Sequence, residues 1–365
     1  MQKNTNIFAY LISLQLRIII ERMSLFIILA FVLSALSMPL IIKVCAKLSL
    51  YDYTNARKIH SGNIPRLGGI GIAFAFFLTS ALYLKHNTSI SLMANLPVLL
   101  AALIVFVFAF LDDILTFHAS IKLVAQLTAC GIVMFNNYRF TQIFSWQLPA
   151  VVSYIMTFLW ILGLINAYNL IDGMDGLCGS LACTVGITIG VINLISKNQI
   201  AGLNFIFAAS IMGFLLFNKP PAKIFMGDCG SQFLGFIIAI LPLYPTTKDI
   251  EFNKVLIMIV LTAFPVFDTI AAIWRRIRDR RPIMEGDRSH LHHKLLNLNY
   301  SKFKALILID VIQVLVCVSV IISTLLERHR ASALLFETMV LLAMFFSIIH
   351  FTNRSVMKQR SIENK

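Results

Sequence analysis

The sequence predicts an all-α fold, a polytopic integral membrane bundle of about eleven transmembrane helices. Of its 365 residues, 58% are hydrophobic and 13% are charged, with a mean hydropathy of +0.83. A soluble domain carries about 25% charged residues, so much of this surface must face lipid. Uncharged runs of roughly 20 residues recur along the chain, and the basic residues between them are unevenly distributed.

The apolar runs are assigned to helices because stretches such as Leu100–Leu111 and Val314–Ile322 lack the alternation and turn signals of barrel strands. Only helices and closed barrels satisfy their backbone hydrogen bonds within lipid. Several runs are short or nearly merge, so the number of spans could differ from eleven by one or two. The predicted spans are residues 24–44, 68–86, 96–112, 121–136, 148–165, 177–196, 201–217, 231–247, 254–274, 305–326 and 332–351.

The distribution of Lys and Arg predicts the orientation, since cytoplasmic loops are enriched in basic residues. The loops after odd-numbered spans, with the C-terminal tail, hold 21 basic residues, whereas the loops after even-numbered spans hold 7. We therefore expect the first set in the cytoplasm, the N-terminus outside and the C-terminus inside. The net charge of +14 follows mostly from this topology. A nucleic-acid partner is not expected, because the basic run is not interleaved with base-stacking aromatics.

One transmembrane domain is predicted over residues 24–351, followed by a basic cytoplasmic tail at 352–365. Residues 1–23 form an N-terminal extension whose Arg17 and Arg22 conflict with an external N-terminus. Two interpretations stay open: an interfacial helix, or a native start at Met23. The six cysteines form no CxxC pair and are expected to be reduced packing residues.

Polar clusters gather on the predicted cytoplasmic side, against the ends of the spans. Carboxylates, amides and glycines in five loops of the same side indicate one shared site. The clusters are Arg57–Gly69, Leu111–Asp113 with Lys122 and Gln126, Asn166–Gly176, Phe225–Ser231, and Arg275–Lys294.

Asp112 and Asp113 end an uncharged run. Burying carboxylates near lipid is costly unless they are paired or bound to a metal. Adjacent helical residues point about 100° apart, so one carboxylate can hold a cation while the other faces a substrate. A pair of solvated loop acids is the alternative.

Oxygen-bearing side chains recur every third residue at Asn166, Asn169, Asp172 and Asp175, a spacing that keeps them in one slowly turning stripe on a helix. A stripe facing a loop, or a set of helix caps, is the alternative. An EF-hand is excluded, because the spacing is wrong and no Glu closes a calcium loop.

The glycines of Gly227–Ser231 precede a span, where backbone N–H groups at a helix N-terminus suit a phosphate. Asp228 would repel that phosphate unless it held a cation, and hard oxygens beside phosphate favour Mg²⁺ or Mn²⁺. Capping by Asp228 or Ser231 is the alternative.

A histidine cluster, His290, His292 and His293, follows Arg288. The spacing fits no common zinc site and no cysteine is near. As hydrogen-bond donors to a diphosphate, histidines beside arginines are better suited.

Taken in order, these motifs resemble the polyprenyl-phosphate N-acetylhexosamine-1-phosphate transferase family (glycosyltransferase 4, MraY-like), and most of all its WecA-type branch. The similarity covers roughly residues 24–350. It rests on RKxHxxxIPxxGG (57–69), LDD (111–113) followed by Lys122, NAYNLIDGMDGL (166–177), IFMGDCGS (224–231), PVFDxxxxxxRR (265–276) and DRSHLHHKL (287–295). The order His-Leu-His-His after Asp-Arg resembles the branch that uses UDP-N-acetylglucosamine (UDP-GlcNAc) rather than the muramyl-peptide branch.

The resemblance implies transfer of N-acetylglucosamine 1-phosphate from UDP-GlcNAc to undecaprenyl phosphate, with release of UMP, at the cytoplasmic face of a bacterial inner membrane. This would be the first membrane step of a cell-surface polysaccharide such as O-antigen. The implied partners are UDP-sugar, undecaprenyl phosphate and membrane lipid, with a homodimer left open. The resemblance assigns catalysis to Asp112 and Asp113, binding of Mg²⁺ (or Mn²⁺) to Asn169 and Asp228, and substrate binding to Lys122, Asp172, Asp175, Arg288, His290, His292 and His293.

Two alternatives accompany this interpretation. The donor could be another UDP-N-acetylhexosamine or UDP-MurNAc-pentapeptide, because the stretch Arg280–Gly286 departs from the familiar pattern. A cation-coupled transporter would instead place carboxylates mid-span in both halves of a repeat. Here the carboxylates lie at span ends on one side, and no repeat is visible.

Overall fold

A computed structural model describes residues 2–52, 63–87, 90–282 and 289–363 of the chain, with side chains from Met23 onward except those of Asp52 and Ala119. Within these ranges the protein consists of α-helices, a 3₁₀ turn at Leu241–Leu243 and two short antiparallel strand pairs. The helices are α1 Gln2–Lys47, α2 Gly69–His86, α3 Leu92–Leu115, α4 Ala119–Phe135, α5 Ala150–Ile171, α6 Leu177–Ile195, α7 Ala201–Asn218, α8 Gly227–Ile240, α9 Lys248–Leu261, α10 Ala263–Arg278, α11 Leu291–Asn297, α12 Lys302–Ser323 and α13 Arg328–Glu363. The antiparallel strand pairs are β1 Tyr51–Asp52 with β2 Ile64–Pro65, and β3 Gln142–Ile143 with β4 Trp146–Gln147.

The prediction of an all-α membrane bundle is confirmed, and each predicted span overlaps helix, although 231–247 extends past the end of α8. In the described part of the chain, eight helices are long and apolar enough to cross a membrane, or nine if the bent pair α9–α10 is one span. Two further apolar helices, α4 and α8, are shorter. The number eleven, the sidedness of the termini and the domain boundaries stay predictions.

The predicted span 254–274 is divided into α9 and α10, which are bent by 64°. Pro265 lies in the first turn of α10 and has no N–H group to bond the carbonyl of Leu261, four residues earlier. The side chain of Gln313 on α12 satisfies that carbonyl instead, with its Nε2 donating over 3.1 Å. The bend is therefore held by a hydrogen bond from a neighbouring helix.

Alternate connections lie at opposite ends of the bundle. At one end, Asn198 Nδ2 donates to Pro245 O over 2.9 Å and Tyr83 Oη donates to Gln199 O over 2.8 Å. The polar motif segments meet at the other end, as described below. This segregation agrees with the alternation of basic residues along the sequence.

Helix α8 is the centre of the packing. Its residues from Cys229 to Ile240 are buried, as expected of a helix that is apolar on all sides. The Phe233 ring packs against Phe76, Phe77 and Phe106, with ring centroids 5.5 to 6.2 Å apart. Because α8 is enclosed by its neighbours, its N-terminus is a fixed point at the motif end of the bundle.

Candidate functional site

The N-terminus of α8 is held by a carboxylate from α3. Asp113 Oδ1 accepts from the backbone N–H of Asp228 over 3.1 Å, and Asp113 Oδ2 accepts from that of Cys229 over 2.9 Å. The turn into α8 requires Gly227, whose φ is +74° and whose added Cβ would lie 2.6 Å from Asp113 Oδ2. Asp113 therefore satisfies two of the N–H groups that a helix start leaves unpaired.

The segment before α2 is joined to the same turn by its backbone. Gly68 N donates to Phe225 O over 2.8 Å, and Gly69 N donates to Met226 O over 2.9 Å. A Cβ on Gly69 would lie 2.4 Å from the backbone nitrogen of Gly230, so the two main chains are in direct contact. The Arg66 guanidinium on this segment donates to the carbonyl of Asp113.

Lys122 joins the carboxylates of two helices. Its ammonium forms ion pairs with Asp112 Oδ2 and, at 3.0 Å, with Asp228 Oδ2. The other Asp112 oxygen accepts from the backbone N–H of Phe117 over 2.8 Å, which orients the carboxylate toward Lys122. Asp112 and Asp113 are both buried, whereas the Asp228 side chain is 35% exposed. We call Asp112, Asp113, Lys122 and Asp228 the carboxylate centre. The alternative of solvated loop acids is wrong.

A row of carboxamides leads away from this centre. Gln232 Nε2 donates to Asp228 Oδ2 over 3.4 Å, Gln126 Nε2 donates to Gln232 Oε1 over 3.1 Å, and Asn166 Nδ2 donates to Gln126 Oε1 over 3.2 Å. Each amide orients the next, so the row fixes the position of Asp228 Oδ2. Gln232 was absent from the sequence prediction, because a glutamine inside an apolar helix carries no spacing signal.

Asp228 and Asn169 offer oxygen ligands of the type that magnesium prefers. Asn169 Nδ2 donates to Ser231 Oγ over 3.0 Å, which places its carboxamide beside the start of α8 with Oδ1 available to a cation. Magnesium is commonly bound by one or two carboxylates together with substrate phosphates. Asp228 and Asn169 fit that pattern, although no three His, Cys, Asp or Glu side chains of the described residues converge as a metal cluster.

The histidine cluster meets the end of α5. A Cβ on Gly173 would lie 2.7 Å from His292 Nε2, so glycine is needed for this contact. Asp172 is the residue immediately after α5, three residues beyond Asn169 and thus about one helical turn away. The end of α5 therefore connects the histidine cluster to the carboxylate centre.

The three histidine rings lie close together. The His292 and His293 ring centroids are 4.3 Å apart, and the His290 and His292 rings are nearly parallel at 5.9 Å. His292 is 1% exposed. Both of its ring nitrogens lack a hydrogen-bond partner among the described residues. Desolvation, with the nearby His293, lowers the pKa of His292 to about 3, so this ring is neutral near pH 7.

Asp268 on α10 is a site residue that the sequence prediction missed. Its Oδ2 accepts from His290 Nδ1 over 2.8 Å, and its Oδ1 accepts from the backbone N–H of Leu291 over 2.9 Å. In the sequence, Asp268 was visible only as a single acid in the motif at 265–276. No spacing pattern related it to His290, which lies 22 residues later.

Asp175, a predicted substrate residue, has contacts of its own. Asp175 is buried, accepts from the backbone N–H of Ala222 over 3.3 Å and lies 3.9 Å from Lys302 Nζ. These contacts join it to the loop before α8 and to the start of α12, and its role in substrate binding stays a prediction. Arg288 lies outside the described residues.

Comparison with known proteins agrees with this geometry. Residues 95–246 match the family model described as glycosyl transferase family 4. They include both aspartates of α3, Lys122 and the start of α8.

Three relatives cover most of the chain. The first is a protein of Bacillus subtilis (strain 168) named "Probable undecaprenyl-phosphate N-acetylglucosaminyl 1-phosphate transferase", 34% identical over 81% of this chain and 84% of its own. Proteins of Escherichia coli (strain K12) and Yersinia pestis, both named undecaprenyl-phosphate alpha-N-acetylglucosaminyl 1-phosphate transferase, are 32% and 31% identical, over 73% of this chain and 74% and 75% of their own. The chain therefore belongs to glycosyl transferase family 4, in the group of undecaprenyl-phosphate N-acetylglucosaminyl 1-phosphate transferases that its motifs predict.

Proposed function

We propose that this protein transfers N-acetylglucosamine 1-phosphate from UDP-GlcNAc to undecaprenyl phosphate, giving undecaprenyl-diphospho-GlcNAc and UMP. The observation that carries the proposal is Lys122 between Asp112 and Asp228 at the start of a buried helix. Charged groups gathered at the end of a lipid-facing bundle suit a reaction between a polar nucleotide sugar and a lipid phosphate. The names of the relatives supply the sugar and the lipid.

The reaction exchanges one phosphoanhydride for another. The lipid phosphate oxygen bonds to the β-phosphorus of UDP-GlcNAc, and the bond from that phosphorus to the bridging oxygen breaks, so that UMP leaves. Both reactants are anions, and the main requirements are neutralisation of charge and alignment. Lys122 supplies one positive charge at the centre, and its ion pairs hold the ammonium in place.

The two adjacent aspartates have different roles in this proposal. Asp113 uses both oxygens on backbone N–H groups of α8 and therefore positions Asp228. Asp112 faces Lys122 and, with it, the incoming phosphate. A phosphate monoester is mostly ionised at pH 7, because its second pKa is about 6, so a strong base is not required of Asp112.

A magnesium ion, when bound, would be held by Asp228 and Asn169 and would neutralise the diphosphate; Mn²⁺ has the same ligand preference for oxygen. Gln232 and Lys122 both donate to Asp228 Oδ2, so they orient the carboxylate. The histidine cluster lies against the end of α5, about one helical turn beyond Asn169, and would bind the diphosphate of the donor. Asp172, directly after α5, would orient the uridine.

The site is proposed to lie at the cytoplasmic face of a bacterial inner membrane, where UDP-GlcNAc is made available. A membrane-impermeant thiol reagent tests this in cells that carry a single cysteine at Ser289. Labelling is expected only after permeabilisation, and labelling of intact cells would reject the orientation. We further propose that the lipid-linked product is the starting point for a cell-surface polysaccharide such as O-antigen.

The direct test is turnover by purified protein in nanodiscs with Mg²⁺ and undecaprenyl phosphate. UDP-GlcNAc, UDP-GalNAc and UDP-MurNAc-pentapeptide are compared by UMP release and by the mass of the lipid product. UDP-GlcNAc is expected to be preferred, and preference for either other donor would reject the sugar assignment. Mass photometry of the same sample tests the homodimer left open by the sequence.

A further inference from the structure

Asp268 contacts the histidine cluster from outside the carboxylate centre. The residue lies in the second turn of α10, just beyond the bend from α9, and is 3% exposed. Its two oxygens accept from consecutive residues at the start of α11, His290 through Nδ1 and Leu291 through the backbone N–H. One oxygen of this buried carboxylate thus orients the His290 ring, and the other holds the main chain of the next residue.

This geometry determines which nitrogen of His290 is available. Since Nδ1 donates to Asp268, Nδ1 carries a proton and Nε2 is the atom left for a ligand. The backbone bond at Leu291 fixes the main chain of the same turn, so the ring cannot rotate independently of α10. The ring also lies nearly parallel to that of His292, at 3° between the planes.

We propose that Asp268 is a positioning residue that presents His290 Nε2 to the diphosphate of the nucleotide sugar. The inference rests on the proposed function and adds to it a residue that does not touch the substrate. In the imidazolium form both nitrogens donate, Nδ1 to Asp268 and Nε2 to a phosphate oxygen. In the ligand-free neutral form the proton stays on Nδ1 and Nε2 is unprotonated, so the diphosphate binds the imidazolium form, whose charge the Asp268 carboxylate stabilises and an asparagine at this position would not.

Asp268 also anchors the cluster to a rigid support. The α9–α10 bend is held by the bond from Gln313 to Leu261 O. On the other side of the cluster, His292 lies against Gly173 at the end of α5. Asp268 therefore connects the histidines to α10, while Gly173 connects them to the helix that carries Asn169.

The test compares Asp268→Asn with wild type and with Asp249→Asn, a control acid that pairs with Arg328. An asparagine can still accept from Leu291 but offers its Nδ2 to His290, which drives the ring proton from Nδ1 to Nε2. Turnover is expected to fall about 100-fold, the upper range for a lost orienting partner, with unchanged thermal stability. Turnover within about threefold of wild type would overturn the proposal.

A double-mutant cycle with His290→Gln separates positioning from an independent role. If Asp268 acts through His290, Asp268→Asn has no further effect in the His290→Gln background, whereas equal effects in both backgrounds would overturn the proposal. Affinity for UDP-GlcNAc, measured by calorimetry, provides the same cycle if turnover is too slow to follow.

Nitrogen-15 spectra of labelled histidine give a readout that needs no turnover. Wild type is expected to show an Nδ1-protonated histidine signal that disappears in His290→Gln and shifts to Nε2 protonation in Asp268→Asn. An unchanged pattern would overturn the inference. If wild type shows the Nδ1 form but releases no UMP from UDP-GlcNAc, the proposed function fails while the positioning of His290 stands.

Discussion

Asp113 and Asp228 are joined through the main chain: the carboxylate of the first accepts from the backbone N–H of the second over 3.1 Å, and from that of Cys229 over 2.9 Å. Asp113→Asn presents an N–H to one of these donors and leaves it unpaired. We expect the free energy of unfolding to fall by about 1–3 kcal/mol, as measured by thermal unfolding in detergent.

The neighbouring substitution is the matched control. Asp112→Asn can keep the bond from Phe117 N to Oδ1 and loses charge only toward Lys122. We expect turnover to fall by several orders of magnitude, with a smaller loss of stability than in Asp113→Asn. If the two variants lose equal stability, the division of roles between the adjacent aspartates is wrong.

Asp228→Ala is expected to abolish transfer while the protein still inserts in the membrane. The substitution removes the carboxylate proposed to bind the cation and leaves Lys122 paired with Asp112 alone. UMP release at saturating Mg²⁺ measures the loss, and Mn²⁺ binding followed by electron paramagnetic resonance measures the site itself. Asp249→Ala, in a surface ion pair with Arg328, is the control. Near-normal turnover of Asp228→Ala would contradict the metal assignment.

Gly173→Ala is expected to lower kcat/KM for UDP-GlcNAc about tenfold or more, because small displacements of positioning groups slow a reaction strongly. The added Cβ would lie 2.7 Å from His292 Nε2 and must displace the ring or the α5 end. The control is Gly163→Ala within α5, whose added Cβ meets no atom within 4 Å, and its kcat/KM should be unchanged. Equal rates for the two variants would contradict the contact.

The stability of the protein is expected to decline as the pH falls from about 6.5. Burial, with nearby His293, lowers the pKa of His292 from 6.5 to about 3. Between these values the unfolded chain takes up a proton that the folded protein does not, which costs about 1.4 kcal/mol of stability per pH unit. Thermal unfolding between pH 7.5 and 5 measures the slope. His292→Gln should flatten it, and His86→Gln, an exposed site, should not.

Gln313→Leu is expected to lower the free energy of unfolding by about 1–3 kcal/mol, because Leu261 O loses its donor at the α9–α10 bend. Leucine keeps a similar volume, so the effect reports the hydrogen bond rather than a cavity. The control is Gln147→Leu on β4, which removes an exposed side-chain hydrogen bond to Gln142 on β3. An equal melting temperature for Gln313→Leu and wild type would show that the bend does not depend on this bond.

The helices could be predicted because lipid imposes a simple requirement: every crossing must be long, apolar and internally hydrogen-bonded. The bend at Pro265 was not predicted, since hydropathy averages over a run and does not register a missing N–H group. Asp112 and Asp113 are equivalent in sequence. Which of them faces Lys122 and which faces α8 depends on how α3 is rotated against its neighbours, a consequence of packing.

Residues that are distant in sequence but adjacent in the site could be grouped only through the resemblance to a known family. Lys122 and Asp228 are 106 residues apart, and no local pattern relates them. Asp268 and His290 are closer along the chain, yet the acid was noticed only as one letter of a motif. Physical reasoning from the sequence thus located the motif end of the bundle, and tertiary packing decided which atoms meet there.

The contact between Gly69 and Gly230 limits how this part of the chain can evolve. A side chain on either residue would meet backbone atoms of the other segment at 2.4 to 3.1 Å. In most packed pairs, a larger residue on one side is accommodated by a smaller one opposite. Glycine has no smaller replacement, so neither position can compensate for the other, and saturation mutagenesis should recover only the native residue at both.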